Sequence, residues 1–457
     1  MTDASSAPNH YRSLVEAGVA IGAVTLVSLP WLAVPHPLVP VAAVAGIVAL
    51  GLAHYRPFLI CLGLIAFAFF RLHEAFPPLY PLKLPLALAV LATGAVVWRV
   101  FAVRSVRPFM TAELAAFVVF FALVTFGVGF AYVRPVALDY WTGVFWKIAL
   151  ITFAIAWLAT EPRDFLTAAR AFVVCGLLVA LVAISNKHAG IDLVEGTRVT
   201  IGQALKSLLA DPNDLALVLL FPLSFAAALA VRARAWADRI LGLAGGAAIL
   251  LAIVYTQSRG GILGVAAVAG VFGFVLVRSR LVFLVAGGGT AVLLYSAMNI
   301  AGRISGGAAE EGLDQSAAER LEAWGAAFNM ALSRPLNGVG LANFPHAFYD
   351  YSTNFPGRDM APHSTWFGVL GETGWPGFVA FVVMVGLTVR SAVRWRMRLD
   401  RPGEDPALRV ASLAMVAGLA GFCVAGTFLT QGFIWPLYIM IALTAALSRQ
   451  AGPQAPG

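Results

Sequence analysis

Residues 238–280 read DRILGLAGGAAILLAIVYTQSRGGILGVAAVAGVFGFVLVRSR. Two apolar runs, 238–256 and 260–278, are each long enough to cross a hydrocarbon core as a helix. Between them stands TQSRGG, residues 256–261, whose single charge is Arg259. Hydrophobic residues make up 60% of the 457 and charged residues 12%. An ordinary soluble domain does not have this composition. The chain reads as an all-α polytopic membrane protein.

Further spans of this kind fall near 17–34, 37–54, 57–72, 83–102, 111–131, 141–160, 165–184, 212–231, 281–299, 363–391, 407–425 and 429–447. The expectation is about 12 to 14 transmembrane helices in a single membrane domain over residues 1–457. Basic residues at VRSVRPF, VRARAWADR, VRSR and VRSAVRWRMRLDRPGEDPALR share one side when the helices alternate, and that side is read as the cytoplasm. Both termini are then cytoplasmic, and residues 185–211 and 300–362 are exterior. The polar start, MTDASSAPNHYRSLVEAG, has no short basic region followed by a cleavable apolar core, so no signal peptide is expected. A formal charge of +8 is spread over membrane loops and forms no nucleic-acid patch. The three cysteines, Cys61, Cys175 and Cys423, are scattered through apolar runs and fit neither a disulfide framework nor a zinc site.

The large exterior loop, 300–362, contains LDQSAAERLEAWGAAFNMALSRPLNGVGLANF. Ser316 with Glu319 three residues on reads as a capping box, and Leu321, Trp324, Phe328 and Leu332 follow at helical spacing. The helix should stop before Pro335. Arg320 and Trp324 then share a face, and NGVG supplies a turn whose amides could approach a ligand. Arg320 reads either as a solvated residue offset by Glu319 and Glu322 or as an anion ligand. Arg259 reads either as a snorkelling turn residue, with the two glycines making the bend, or as an anion seat in which a guanidinium and glycine amides bind phosphate.

His363 opens PHSTWFGVLGETGWPG. In the first turn of a helix, the positive end of the dipole disfavours the imidazolium, and a neutral ring can accept a proton. The plainer reading is an interfacial cap. Glu372 sits among Gly371, Gly374 and Pro376 and reads as a packed or hydrogen-bonded residue at a helix break. In LLADPNDLALVLLFPLSF, Asp211 before Pro212 is an N-cap with Asp214 at the third helical position, although carboxylates there could also grip acceptor hydroxyls. No divalent-metal constellation is readable.

TQSRGG between two helices, a long loop with AERLEAW and RPLNGVGLANF, then PHSTWFGVLGETGWPG, in this order, resemble the O-antigen ligase and polymerase superfamily of Wzy/WaaL-type membrane glycosyltransferases. The resemblance covers residues 200–390. It implies a GT-C-like helical fold with a helical periplasmic loop domain in the bacterial inner membrane. The implied donor is an undecaprenyl-pyrophosphate-linked oligosaccharide, and the acceptor is a growing glycan, lipid A core or a protein. No cofactor and no metal are implied. Carried over residue by residue, the resemblance implies that Arg259 and Arg320 bind the donor pyrophosphate and that His363 acts on the acceptor hydroxyl. Many members follow the histidine with asparagine; this chain has Ser364, which with Asp211, Asp214 and Glu372 is assigned to acceptor contact or structure. Polymerase and ligase share these motifs.

Two other classes compete. A secondary transporter of a small anion or saccharide would place its polar groups near the midplane on broken helices in repeated halves. A non-catalytic assembly scaffold leaves the two arginines and the histidine without a purpose.

Overall fold

The computed structural model describes residues 25, 38–205, 207–279, 281–282, 315–355 and 357–451. The expected spans at 17–34 and 281–299 fall almost wholly outside the described residues, as does the lead of the large loop at 300–314. Every other expected span coincides with a helix. The first of these are α1 (Leu38–Tyr55), α2 (Pro57–Ala68), the one-turn α3 (Leu72–Ala75), α4 (Leu84–Ala102), α5 (Ala112–Val128), α6 (Arg134–Leu158) and α7 (Pro162–Ala189). An antiparallel hairpin follows, β1 (Leu193–Val194) with β2 (Arg198–Val199), in which Leu193 faces Val199. Next come α8 (Pro212–Arg232), α9 (Trp236–Thr256), α10 (Arg259–Leu276), α11 (Gln315–Ser333), α12 (Phe344–Tyr351), α13 (Thr365–Leu399), α14 (Pro406–Ala425) and α15 (Trp435–Ala451). Among the described residues, eight helices are long and apolar enough to cross a membrane.

Helices α8 and α14 form the centre of the bundle, with Leu215, Val218, Leu219, Leu413 and Met415 out of contact with solvent. On α13 the large side chains Val379, Val382 and Val383 are exposed. In a membrane protein such a face meets lipid, which is as apolar as the core. One end of the bundle is tied by charge. Arg396 lies 2.7 Å from Asp400, and Arg232 and Arg409 each lie 3.6 Å from it, joining α8, α13 and the start of α14. Burial pushes the Asp400 carboxyl up, but the hydrogen bond and charge of Arg396, with Arg232 and Arg409, hold it below the usual carboxylate range. The starts of α8 and α13 therefore share the opposite end.

Helix α13 is broken as expected, and the break organises the large loop. Gly374 adopts φ 68°, ψ −170° inside the helix, a left-handed φ that side chains avoid. A Cβ there would also meet Pro335 O at 2.5 Å. The break frees the carbonyls of Gly371 and Glu372, and Pro376 has no N–H to offer the second. The amides of Val339 and Gly340 donate to these carbonyls at 2.9 and 3.0 Å, while Trp375 N donates to Pro335 O at 2.9 Å. The loop is thus stitched to α13 through the backbone groups that the kink releases.

Candidate active site at the head of α13

The helix α13 begins at Thr365, with Ser364 as its N-cap: the buried Ser364 Oγ accepts from Phe367 N at 3.4 Å. His363 therefore precedes the cap and is not in the first turn, which corrects the expectation from sequence. Its backbone is left-handed, φ 45°, a region where histidine is enriched among non-glycine residues. The imidazole is held below the ordinary histidine pKa, and the cause also differs from the one expected. Burial contributes most, and the Arg320 guanidinium adds to it; Asp211 and Glu319 pull the other way. The ring is neutral near pH 7, so it can accept a proton.

Arg320 reaches this position because α11 packs against α13. Trp324, one turn along from Arg320, stacks on Phe367 with ring centroids 5.1 Å apart. The shared face of Arg320 and Trp324 was legible from spacing; the buried face of the helix was not. Ala323, Ala326, Ala327, Met330 and Ala331 are buried, whereas Leu321 and Leu332 are 52% and 58% exposed and Phe328 is exposed as well. Ala327 and Met330 pack against Gly371 at the α13 kink, whereas Leu321 and Leu332 are turned away. Ser316 lies within α11, not ahead of it, and the helix stops at Ser333, before Pro335. Glu322 accepts from Ser352 Oγ and from the amides of Thr353 and Asn354, and Glu319 pairs with Arg358 at 2.8 Å. The NGVG amides at Val339 and Gly340 serve the α13 carbonyls, so the expectation that they approach a ligand does not hold.

The first turn of α8 links both halves of the candidate site. Asp211 is the N-cap, accepting from Asn213 N at 2.7 Å and Asp214 N at 3.2 Å, with Pro212 at the first helical position. Its charge acts on His363 and favours the imidazolium. Two residues on, Asn213 Oδ1 accepts from Ser258 Oγ at 2.9 Å and from Arg198 Nη2 at 3.1 Å. Ser258 caps α10, and Arg259 is that helix's first residue, exposed. The turn before Arg259 is made by Gln257, at φ 52°, and not by the glycines. Gly261 serves packing: a Cβ there would meet Ala216 of α8 at 2.7 Å, and its amide donates to Ser258 Oγ. Arg198 was missed by the sequence reading. Its Nε donates to Thr256 O at 3.2 Å, so the hairpin β1–β2 is docked on the α9–α10 turn. A lone arginine in loop 185–211, assigned to the exterior, was the available signal.

Glu372 ties the large loop to the α13 break. It is buried, and its carboxylate accepts from Ala342 N at 2.9 Å and Phe344 N at 3.2 Å. It also lines a cavity of about 220 Å³ that runs beneath Pro362 and Thr365, with Tyr140, Thr430 and Phe433 on its other walls.

Residues 244–382 match the family model described as O-antigen ligase, less than a third of the chain. The matched stretch contains Arg259, Arg320 and His363, and it supports the resemblance to the O-antigen ligase and polymerase superfamily read from the motifs. No curated protein matches the chain significantly.

Proposed function

We propose that this multi-pass membrane chain, with its O-antigen ligase-type region, is an inverting glycosyltransferase. It moves a glycan from undecaprenyl pyrophosphate to an acceptor hydroxyl on the periplasmic side of the inner membrane. The observation that carries the proposal is that the charges of Arg320 and of the Asp211 cap of α8 both act on His363, while Asn213, in the same first turn of α8, holds the Ser258 cap that precedes Arg259. The arginine-rich end, with Arg232, Arg396 and Arg409, is the cytoplasmic one by the positive-inside rule, so the His363 end is exterior. The single domain over 1–457, the ligase-related region over 200–390 and the periplasmic loop over 300–362 belong to the same reading.

In this reading the acceptor oxygen attacks the anomeric carbon of the donor sugar. Its proton goes to the His363 ring. The bond from that carbon to the diphosphate oxygen breaks, and the electron pair leaves with the polyprenyl diphosphate. Charge developing on that oxygen is stabilised by Arg259 and Arg320, and Arg198 stands where it can add a third cation. Attack opposite to departure inverts the centre. The apolar flanks of the bundle give the lipid tail lateral access. A transporter would gather its polar groups near the middle of the bundle, whereas these stand at helix starts.

The test is reconstitution of the purified chain with a polyprenyl-pyrophosphate oligosaccharide, scoring chain extension against transfer to lipid A core or protein. Transfer to any of the three supports the reading and names the acceptor. Uptake of substrate with no transfer would overturn it.

A further inference from the structure

At the end of the bundle opposite His363, a second pocket of about 200 Å³ opens between three helices. The start of α5 lines it with Thr111 and Glu113, the later part of α13 with Arg390, Ser391 and Arg394, and the end of α15 with Ser448. None of these groups takes part in the chemistry above. Residues 373–389 carry no charge, about 25 Å of helix, and Arg390 is the first charged side chain after Glu372. A hydrocarbon core is about 30 Å thick, so Arg390 stands where the headgroups begin.

The charges in this pocket lack partners. Arg390 and Arg394 are exposed and lie one turn apart on α13, and their guanidinium groups form no ion pair or hydrogen bond among the described residues. Like charges at this spacing repel. Their neighbours differ: Arg396 pairs with Asp400, and Arg398 lies over the Trp395 ring. Glu113 is 2% exposed, and its one hydrogen bond among the described residues comes from Ser391 Oγ, which donates to Oε2 at 3.2 Å. A carboxylate at the edge of a bilayer is costly unless it faces a partner. The pocket thus calls for an anion at the arginines and a cation at Glu113, within the volume of about seven liquid waters.

We propose that this pocket binds the phosphoethanolamine headgroup of a membrane phospholipid, with the phosphate on Arg390, Arg394 and the Thr111 hydroxyl and the ammonium on Glu113. The inference is independent of the transferase reading. Guanidinium groups take phosphate oxygens through charge-assisted N–H bonds. Thr111 Oγ1 accepts from Leu114 N, which leaves its proton for a phosphate oxygen. The ammonium brings three N–H donors to a carboxylate that has one. A free phosphate, or a headgroup without an ammonium, satisfies the arginines alone and sets a second anion beside Glu113. The acyl chains have apolar surface along the same helix, where Val382, Val383 and Val393 are exposed.

The experiment uses the full chain, purified and stripped of lipid in detergent, with the first bound lipid titrated by native mass spectrometry. The probes are phosphatidylethanolamine, phosphatidylglycerol and phosphatidylcholine with the same acyl chains, and inorganic phosphate as a soluble competitor. Phosphatidylethanolamine is expected to bind about tenfold or more tightly than phosphatidylglycerol, the scale of a hydrogen bond to a charged group. Phosphatidylcholine, whose nitrogen has no N–H, should bind as weakly as phosphatidylglycerol. Arg390→Gln combined with Arg394→Gln should weaken phosphatidylethanolamine by about tenfold or more, and both side chains are exposed, so the fold does not rest on them. Glu113→Gln should remove the preference over phosphatidylglycerol. Phosphatidylglycerol bound as tightly as phosphatidylethanolamine by the unsubstituted chain would reveal a plain basic patch and overturn the proposal, a comparison that needs no variant. No retained phosphatidylethanolamine, or binding unchanged in the double arginine variant, or a preference unchanged in Glu113→Gln, overturns it equally. Displacement of the lipid by inorganic phosphate would make free phosphate the ligand and overturn it too.

Discussion

The carboxylate of Glu372 accepts hydrogen bonds from the amides of Ala342 and Phe344, thirty and twenty-eight residues earlier in the chain. The pairing closes the large loop onto the broken helix α13, directly behind the helix start that presents His363. What Glu372 lends the site is placement.

Glu372→Ala should therefore lower stability by about 2 kcal/mol, since the amides of Ala342 and Phe344 lose their shared acceptor. Gly374→Ala should be similarly damaging, because φ is 68° and the new Cβ would lie 2.5 Å from Pro335 O. Melting curves in detergent check both. Unchanged melting for Gly374→Ala would mean that the kink can relax.

His363 should separate binding from chemistry. His363→Ala is expected to keep lipid-linked donor affinity while losing turnover, because the donor's charge is held by the arginines. Full activity in His363→Gln would remove the general-base role.

The pH profile has a defined sign. A base whose pKa is depressed below the ordinary histidine value is neutral, and competent, above that depressed pKa; activity is lost as pH falls through it. Arg320→Gln removes a cation that depresses the ring, so the acid limb of kcat/KM should move to higher pH. A limb that stays in place would show that the electrostatic contact is not felt at the imidazole.

Arg259→Ala and Arg320→Ala should each reduce turnover by about 10²-fold or more if they stabilise the leaving group, and donor affinity should fall with it. Lysine should rescue only in part, because it lacks the bidentate fork. Arg198→Gln is expected to weaken donor binding in the same assay, and the loss of its bonds to Thr256 and Asn213 should also loosen the hairpin, read by hydrogen exchange.

Charge on the donor is met by guanidinium groups in this reading, so EDTA should leave turnover intact. Activity lost to chelator and restored by Mg²⁺ or Mn²⁺ would contradict the arginine mechanism.

The sequence by itself determined the features that are local. Apolar runs specified the spans because every backbone group in lipid must bond within its own segment. Asp211 before Pro212 specified a helix start, Pro335 a helix stop, and Gly374 with Pro376 a break, each through the geometry of a few neighbouring residues. The order of motifs pointed to Arg259, Arg320 and His363. Which residues meet was decided only in three dimensions. Helical spacing marked Leu321 and Leu332, but the face of α11 that is buried at the α13 kink consists of alanines and Met330. His363 stays neutral through burial and Arg320, not through the helix dipole that its position suggested. Arg198 joins Asn213 across 15 residues, Glu372 joins Ala342 across 30, and Gln431 faces Asp214 from the far end of the chain. Such pairs leave no periodic trace, because helix packing brings them together only after each helix has formed on its own.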